Sequence, residues 1–287
     1  MKKILIIDSH NLLHRARFGF GSGPHKIFFN FFRMLKGELK KHDPEVVYIV
    51  DEGRATLSKE LSADYKATRV KMHDPDFWRE KDEIFDTIKR MSGFVYMRHP
   101  HRECDDVIGH LAQHVHADDD VTIVSTDSDF IQLITDNVNL WHPKKKKYVD
   151  PWECDYVTWK GLRGDPTDNI PGVRGIGPKR ATALASDAAF LEAFLSEDPK
   201  RREQFNLSYA LIKLKDVPPE ELQIEQVDFD EKSLFEEFQK RACKTIIGNA
   251  WPKWIDAFTK AGGKNELRTQ DVTDTGANDE PTRVAAN

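Results

Sequence analysis

Asp127 and Asp129 stand two residues apart just after the apolar run Val121-Thr122-Ile123-Val124, and Asp165 and Asp168 stand three apart before a glycine-rich turn. Spacings this short let two carboxylates deliver hard oxygens to one ion, the donor type that Mg²⁺ and Mn²⁺ prefer. Five more acids occupy comparable places. Asp8 ends the run Lys2-Lys3-Ile4-Leu5-Ile6-Ile7, Asp51 ends Val46-Val47-Tyr48-Ile49-Val50, and Glu103, Asp105 and Asp106 open a helical pattern. Short apolar runs of this kind read as buried parallel strands. Ligands of an open parallel sheet bind outside the carboxyl ends of its strands, so these distant acids are expected to meet. Unneutralised carboxylates would repel and raise one another's pKa values, a conflict that divalent cations resolve. The nine residues are therefore expected to form a metal site.

Each motif alone also has a structural explanation. Acidic residues favour helix starts, and an aspartate after a strand commonly caps the next helix. The stretch from Gly164 to Ala181 is more specific. Gly172, Gly175 and Gly177 permit a tight turn whose amides approach a phosphate, and Pro178, Lys179 and Arg180 follow at a helix start. Cys104 reads as a small buried residue. His110 and His114 have the i, i+4 spacing of a zinc pair without the accompanying glutamate, so surface positions are expected. Lys144 to Lys147 read as a solvated hairpin tip or as an electrostatic contact to a duplex.

Positioning these residues requires alternating strands and helices in the first half of the chain. Strands are expected near 3–7, 46–50, 94–97, 121–125 and 138–141, and helices near 10–17, 25–42, 76–92, 103–117 and 128–134. Phe28, Phe29, Phe31 and Phe32 should pack as core. Asp150-Pro151 has the form of a helix start, and only helices are expected beyond it, near 151–162, 178–185, 188–195, 200–213, 231–241 and 248–260. The expected organisation is a catalytic domain at 1–150, a helical module at 151–261 and a disordered tail at 262–287.

No apolar run approaches the roughly 20 residues of a membrane span, and the amino terminus reads as a first strand rather than a signal peptide. Three dispersed cysteines indicate a reducing compartment, hence the cytoplasm. The net charge of −5 becomes about +4 once the nine carboxylates are set aside, which is compatible with a phosphate-bearing partner.

The ordered motifs Asp8, Asp51-Glu52-Gly53-Arg54, Tyr65-Lys66-Ala67-Thr68-Arg69, Glu103-Cys104-Asp105-Asp106, Asp127-Ser128-Asp129 and the turn beginning at Asp165 resemble the structure-specific 5′-nuclease family. That family comprises flap endonucleases, 5′-3′ exonucleases and bacteriophage replication nucleases, and Trp141-His142-Pro143-Lys144 is similar to the phage RNase H type. The resemblance implies an α/β, PIN-like or resolvase-like fold with a mostly parallel central sheet flanked by helices. A helical arch at 69–98 and a helix-three-turn-helix at 165–185 go with it.

It further implies two Mg²⁺ ions, with Mn²⁺ as a substitute. Asp8, Asp51, Glu103 and Asp105 would surround one, while Asp127, Asp129, Asp165 and Asp168 would serve the other, with Asp106 acting through water. Lys66 and Arg69 would steer or polarise the scissile phosphate, and Tyr65 would stack a nucleobase. Gly172, Gly175, Gly177, Lys179 and Arg180 would hold duplex phosphates, with K⁺ near Val173 and Ile176. Lys71, Arg79, Lys81, Lys89 and Arg90 would track a strand if 69–98 is an arch; a charged amphipathic helix with a solvated face is the equal alternative. Implied substrates are branched or 5′-ended duplex DNA and RNA primers on DNA. Implied partners are replication proteins such as a single-strand-binding protein, clamp or polymerase, the enzyme being a monomer. In a phage-encoded case it would work in the host cytoplasm. Departures are Cys104 in place of alanine, Glu52 after Asp51, and no motif beyond Ala185. The rival readings are a non-cleaving branched-DNA-binding protein and another metal-dependent phosphotransfer enzyme.

Overall fold

The computed structural model describes residues 1–69 and 73–263; Lys71 and the expected tail from residue 264 onward lie outside them. The apolar runs form the strands they predict: β1 (Lys3–Asp8), β2 (Val46–Val50), β3 (Val95–Arg98), β4 (Asp120–Val124) and β5 (Val138–His142). Two short strands, β6 (Lys147–Tyr148) and β7 (Gln223–Glu225), complete a sheet of order β6-β5-β4-β1-β2-β3-β7. Pairing is parallel from β5 to β3, and β6 and β7 add antiparallel edges. The sequence expectation of helices alone after residue 151 is corrected by β7, which pairs Tyr96 with Glu225.

Alternation along the strands loads both faces. Leu5, Ile7, Val47 and Ile49 face helices α1 (Ser9–Arg17), α2 (Lys26–His42) and, after the short α3 (Thr56–Leu61), α4 (Pro75–Met91). Ile4, Ile6, Tyr48 and Val50 face α5 (Cys104–His110) and the turns that carry Phe130 and Leu133. Phe28, Phe31 and Phe32 are fully buried, as expected of core, and Phe29 packs partly buried beside them. Residues 128–133 form a 3-10 helix, and α5 runs on as a π-helical turn over Leu111–Val115.

Along its described residues the 69–98 segment does not stand off the body. Phe77, Ile84, Phe85, Ile88 and Met91 make an apolar stripe on α4 that is buried against α2 and the sheet, so the amphipathic-helix alternative holds there. Its cations are engaged: Arg79 with Asp76 and Glu83, Arg90 with Asp86, Lys89 with Glu225, and Lys81 with Asp51.

Helix α6 (Tyr156–Arg163) begins five residues later than the Asp150-Pro151 signal, because Asp155 accepts the Thr158 N–H and is the effective cap. It packs with α7 (Pro178–Ala185), α8 (Ala188–Ser196) and α9 (Pro199–Ile212) around Leu162, Ala181, Leu184 and Phe205. The last helices, α10 (Glu231–Lys240), α11 (Lys244–Ile247) and α12 (Trp251–Gly262), bury elsewhere. Leu234, Phe238, Trp254 and Phe258 join Phe28 and Phe32 in the core of the α/β layer. The helices after residue 151 thus pack in two places, not as one module.

Candidate metal centre

Parallel pairing places Asp8 opposite Val50, the residue before Asp51, at the carboxyl edge of the sheet. Asp8 also caps α1 by accepting the Asn11 N–H at 3.0 Å, and the Ser125 hydroxyl donates to it at 2.6 Å. That serine links the ends of β1 and β4. Asp8 is buried, and burial first, with the Asp127 and Glu52 charges adding, raises its pKa to about 6 against the pull of its hydrogen bonds. Asp105 is pushed well up by burial and by Asp127, Asp8 and Glu52. Asp8, Asp105, Asp127 and Glu52 therefore lie within electrostatic reach of one another, and the Cys104 thiol sits 3.4 Å from Asp105 and 3.9 Å from Asp8.

The other carboxylates are neutralised by fixed cations. Glu103 is buried at the start of α5 and accepts from the Tyr65 hydroxyl at 3.1 Å, the Ser58 hydroxyl and the Lys66 ammonium. Asp168 takes the Arg69 guanidinium, with the Lys66 ammonium at 3.9 Å. Lys160 joins Asp129 to Asp165, 2.8 Å from the latter. Burial raises Asp129 to about 6 despite Lys160, whereas Asp165 lies below its usual range because Lys160 outweighs its burial. Burial alone would depress both lysines; Glu103 and Asp129 respectively hold them protonated. Asp51 accepts from Lys81 at 3.1 Å and Tyr96 at 2.9 Å.

Among the described residues no three acidic, histidine or cysteine side chains converge as a ready-made metal cage. Lys66, Arg69, Lys81 and Lys160 instead carry compensating charge at Glu103, Asp168, Asp51, and Asp129 with Asp165. The donor set still fits a hard divalent ion: carboxylate oxygens dominate, they are buried or half-buried, and Asp8 and Asp105 are raised by burial and by neighbouring negative charge that a cation would offset. Asp106 is engaged elsewhere. Its oxygen accepts the Lys215 N–H at 2.9 Å, which ties the chain after α9 to α5, and burial raises it to about 6.

Tyr65 corrects the expectation of an exposed stacking platform. Its ring is buried with Val157, Ile170, Leu211 and Ile212, because its hydroxyl is drawn inward to Glu103. The glycines also divide. Gly172 has φ +67°, gives its N–H to Ser208, and would drive a Cβ to 2.4 Å from the Gly164 nitrogen; its role is packing. Gly175 has φ +80° with open space around it, and Gly177, Lys179 and Arg180 beside it are exposed. These four form one exposed face at the start of α7. Val173 and Ile176 point into the helical core. His110 is buried, unlike the surface position expected, and His114 is exposed.

Residues 3–157 match the family model described as the 5′-3′ exonuclease, N-terminal resolvase-like domain. The chain belongs to the 5′-3′ exonuclease family. It is therefore a nuclease-family phosphodiester hydrolase on a resolvase-like α/β fold. A 5′-3′ exonuclease of Aquifex aeolicus is 29% identical over 93% of this chain and 100% of its own. One from Mycoplasmopsis pulmonis is 32% identical over 67% of this chain and 68% of its own. The fold is similar to that of the bacteriophage T5 D15 flap endonuclease, solved with DNA and metal ions, at a TM-score of 0.63 and 17% identity over 91% of this chain and 99% of that one.

Sequence reasoning about this exonuclease-family chain missed Lys160 and Ser125 as partners of the acids, gave Lys81 to strand tracking rather than to Asp51, and gave Glu52 only as a departure from the motif. Lys160 carried a signal: it lies on the stripe of Tyr156, Val157 and Gly161, and a lysine on a buried helix face needs an anionic partner. Lys81 falls between the apolar positions of α4 and offered none. No described helix is long and apolar enough to cross a membrane.

Proposed function

We propose that this exonuclease-family enzyme hydrolyses phosphodiesters at 5′ ends, flaps or nicks of DNA, and of RNA primers on DNA, with two Mg²⁺ ions. The carrying observation is the Lys160 bridge between Asp129, beyond β4, and Asp165, in the loop that leads to the Gly175 turn. Acids at the sheet edge and the phosphate-binding face are thereby one mechanical unit. Asp8, Asp105 and Asp127 would hold one ion with Glu103 and Asp51 at its flank, and Asp129, Asp165 and Asp168 the other. What bound divalent ions supply is polarisation of the attacking water and neutralisation of the leaving oxygen.

The protein's own residues do the rest. Lys66 and Arg69, fixed on Glu103 and Asp168, keep positive charge beside the carboxylates where a scissile phosphate would lie. Gly175, Gly177, Lys179 and Arg180 grip duplex phosphates without reading sequence, so specificity is for structure. The T5 D15 complex with DNA and metal ions supports both the substrate and the ions. K⁺ at the Val173–Ile176 turn, recruitment by a replication protein and action as a cytoplasmic monomer belong to the same reading. A 5′-labelled flap duplex tests it. Cleavage should require Mg²⁺ and vanish in Asp127→Ala; cleavage unchanged by that substitution would overturn it.

A further inference from the structure

Helix α5 carries the acidic turn, and its first N–H groups have no partner within the helix. The residue placed to cap it is Glu103, yet Glu103 makes no capping hydrogen bond. Its carboxylate is committed to Ser58, Tyr65 and Lys66. The Cys104 N–H is taken instead by the Glu52 carboxylate, at 3.1 Å, from the loop after β2.

That loop is held rigidly. The Glu52 N–H donates to Asp51 at 2.7 Å, and the Glu52 carbonyl accepts from Arg98 at 3.0 Å. Gly53 permits the close approach: a Cβ there would stand 1.9 Å from the His99 oxygen and 2.2 Å from the Arg102 oxygen. The Arg54 N–H then donates to Pro100 at 3.1 Å. The chain around Glu52 is thus docked on the segment that leads into α5.

We propose that Glu52 is a positioning residue that caps α5 in place of Glu103, so that Glu103 faces Lys66 and the metal pocket instead of its own helix. Resting on the metal-dependent reading above, this assigns Glu52 the task of fixing the height and tilt of the turn that carries Glu103 and Asp105. Its positioning effect passes through the Cys104 N–H bond and so needs an acceptor oxygen, while its charge acts separately on Asp8 and Asp105.

The test compares Glu52→Ala with Glu52→Gln, using Mn²⁺ binding by titration calorimetry on the full-length protein. Loss of an outer-sphere partner typically weakens metal affinity about tenfold or more. Glu52→Ala should show such a weakening, and Glu52→Gln, which keeps an acceptor oxygen but loses the charge felt by Asp8 and Asp105, should bind at least about threefold more tightly than Glu52→Ala. Duplex binding in EDTA should be the same in all three proteins, which separates positioning from general damage. If Glu52→Gln is as weak as Glu52→Ala, the charge matters and the capping role is overturned. It is also overturned if neither variant weakens binding. Failure of the parent itself to bind Mn²⁺ would instead sink the metal-dependent function. Should Glu52→Ala not fold, Glu52→Met, which keeps the side-chain length without an acceptor oxygen, takes its place in the comparison.

Discussion

Lys160→Met removes the ammonium that joins Asp129 to Asp165 while keeping an unbranched side chain of similar length. The Lys160 side chain is 9% exposed and its partners 18% and 17%, so the ion triad is largely out of water. At 2.8 Å from Asp165, one such pair attracts with about 6 kcal/mol in an effective dielectric of about 20. Desolvation cancels part of this, and removing one partner of a buried pair costs about 3–5 kcal/mol. For a chain of this size that corresponds to a fall in Tm of about 6–20 °C, at about 2–4 °C per kcal/mol. The loss should appear in EDTA and shrink in saturating Mg²⁺, because a bound cation replaces the missing charge and the variant binds it more tightly than the parent; each tenfold gain in affinity returns about 1.4 kcal/mol. Thermal melts followed by circular dichroism, with EDTA or Mg²⁺, measure both. An unchanged Tm in EDTA would refute the claim that Lys160 compensates these acids. Equal losses with and without Mg²⁺ would refute the claim that lysine and metal serve the same carboxylates.

Asp8, Asp106 and Asp129, each raised to about 6, bind protons more tightly when folded, so metal-free stability should fall as pH rises from about 4 to about 6. Asp165, depressed, keeps its full contribution across this window and loses it only below, as pH falls through its folded pKa; urea melts in EDTA from about pH 4 to about 6 check the sign, and rising stability would contradict it. Gly172→Ala should destabilise by more than the left-handed strain of about 1–2 kcal/mol, since its Cβ meets backbone, whereas Gly175→Ala should cost no more than that strain. Urea midpoints rank the two, and equal losses would count against the division between packing and exposed glycines. Lys81→Met should free Asp51 from its ammonium and lower the half-saturating Mg²⁺ concentration severalfold; a higher concentration in cleavage titrations would show that Lys81 supports the site.

The central strands were legible because burial on both faces leaves unbroken apolar runs, as in Val46–Val50. Their carboxyl ends then located Asp8 and Asp51 with no further information. The edge strand β7 was not, since Gln223-Ile224-Glu225 has one apolar residue and is defined only by its partner β3. Asp150-Pro151 and Asp155 both look like helix starts locally; which one caps α6 depends on where the helix meets α9. Tyr65 lies in a loop without periodicity, so its burial follows from contacts with residues about 100 and 150 positions away. The list of acids was readable in order, but their cations were not. Lys66 was found by resemblance, whereas Lys160 and Lys81 reach the site from helices whose packing had first to be known.

The aromatic contacts that join Phe28 and Phe32 on α2 to Phe238 and Phe258 span more than 200 residues of chain. One wall of the amino-terminal layer is therefore supplied by residues far downstream in the chain. Closing so long a loop costs entropy before any contact repays it, and such topologies fold slowly. A ribosome-bound chain ending near residue 200 would carry every acidic ligand yet leave α2 and α4 uncovered. The α2 face of this layer is thereby finished only when residues more than 200 positions downstream of it have docked.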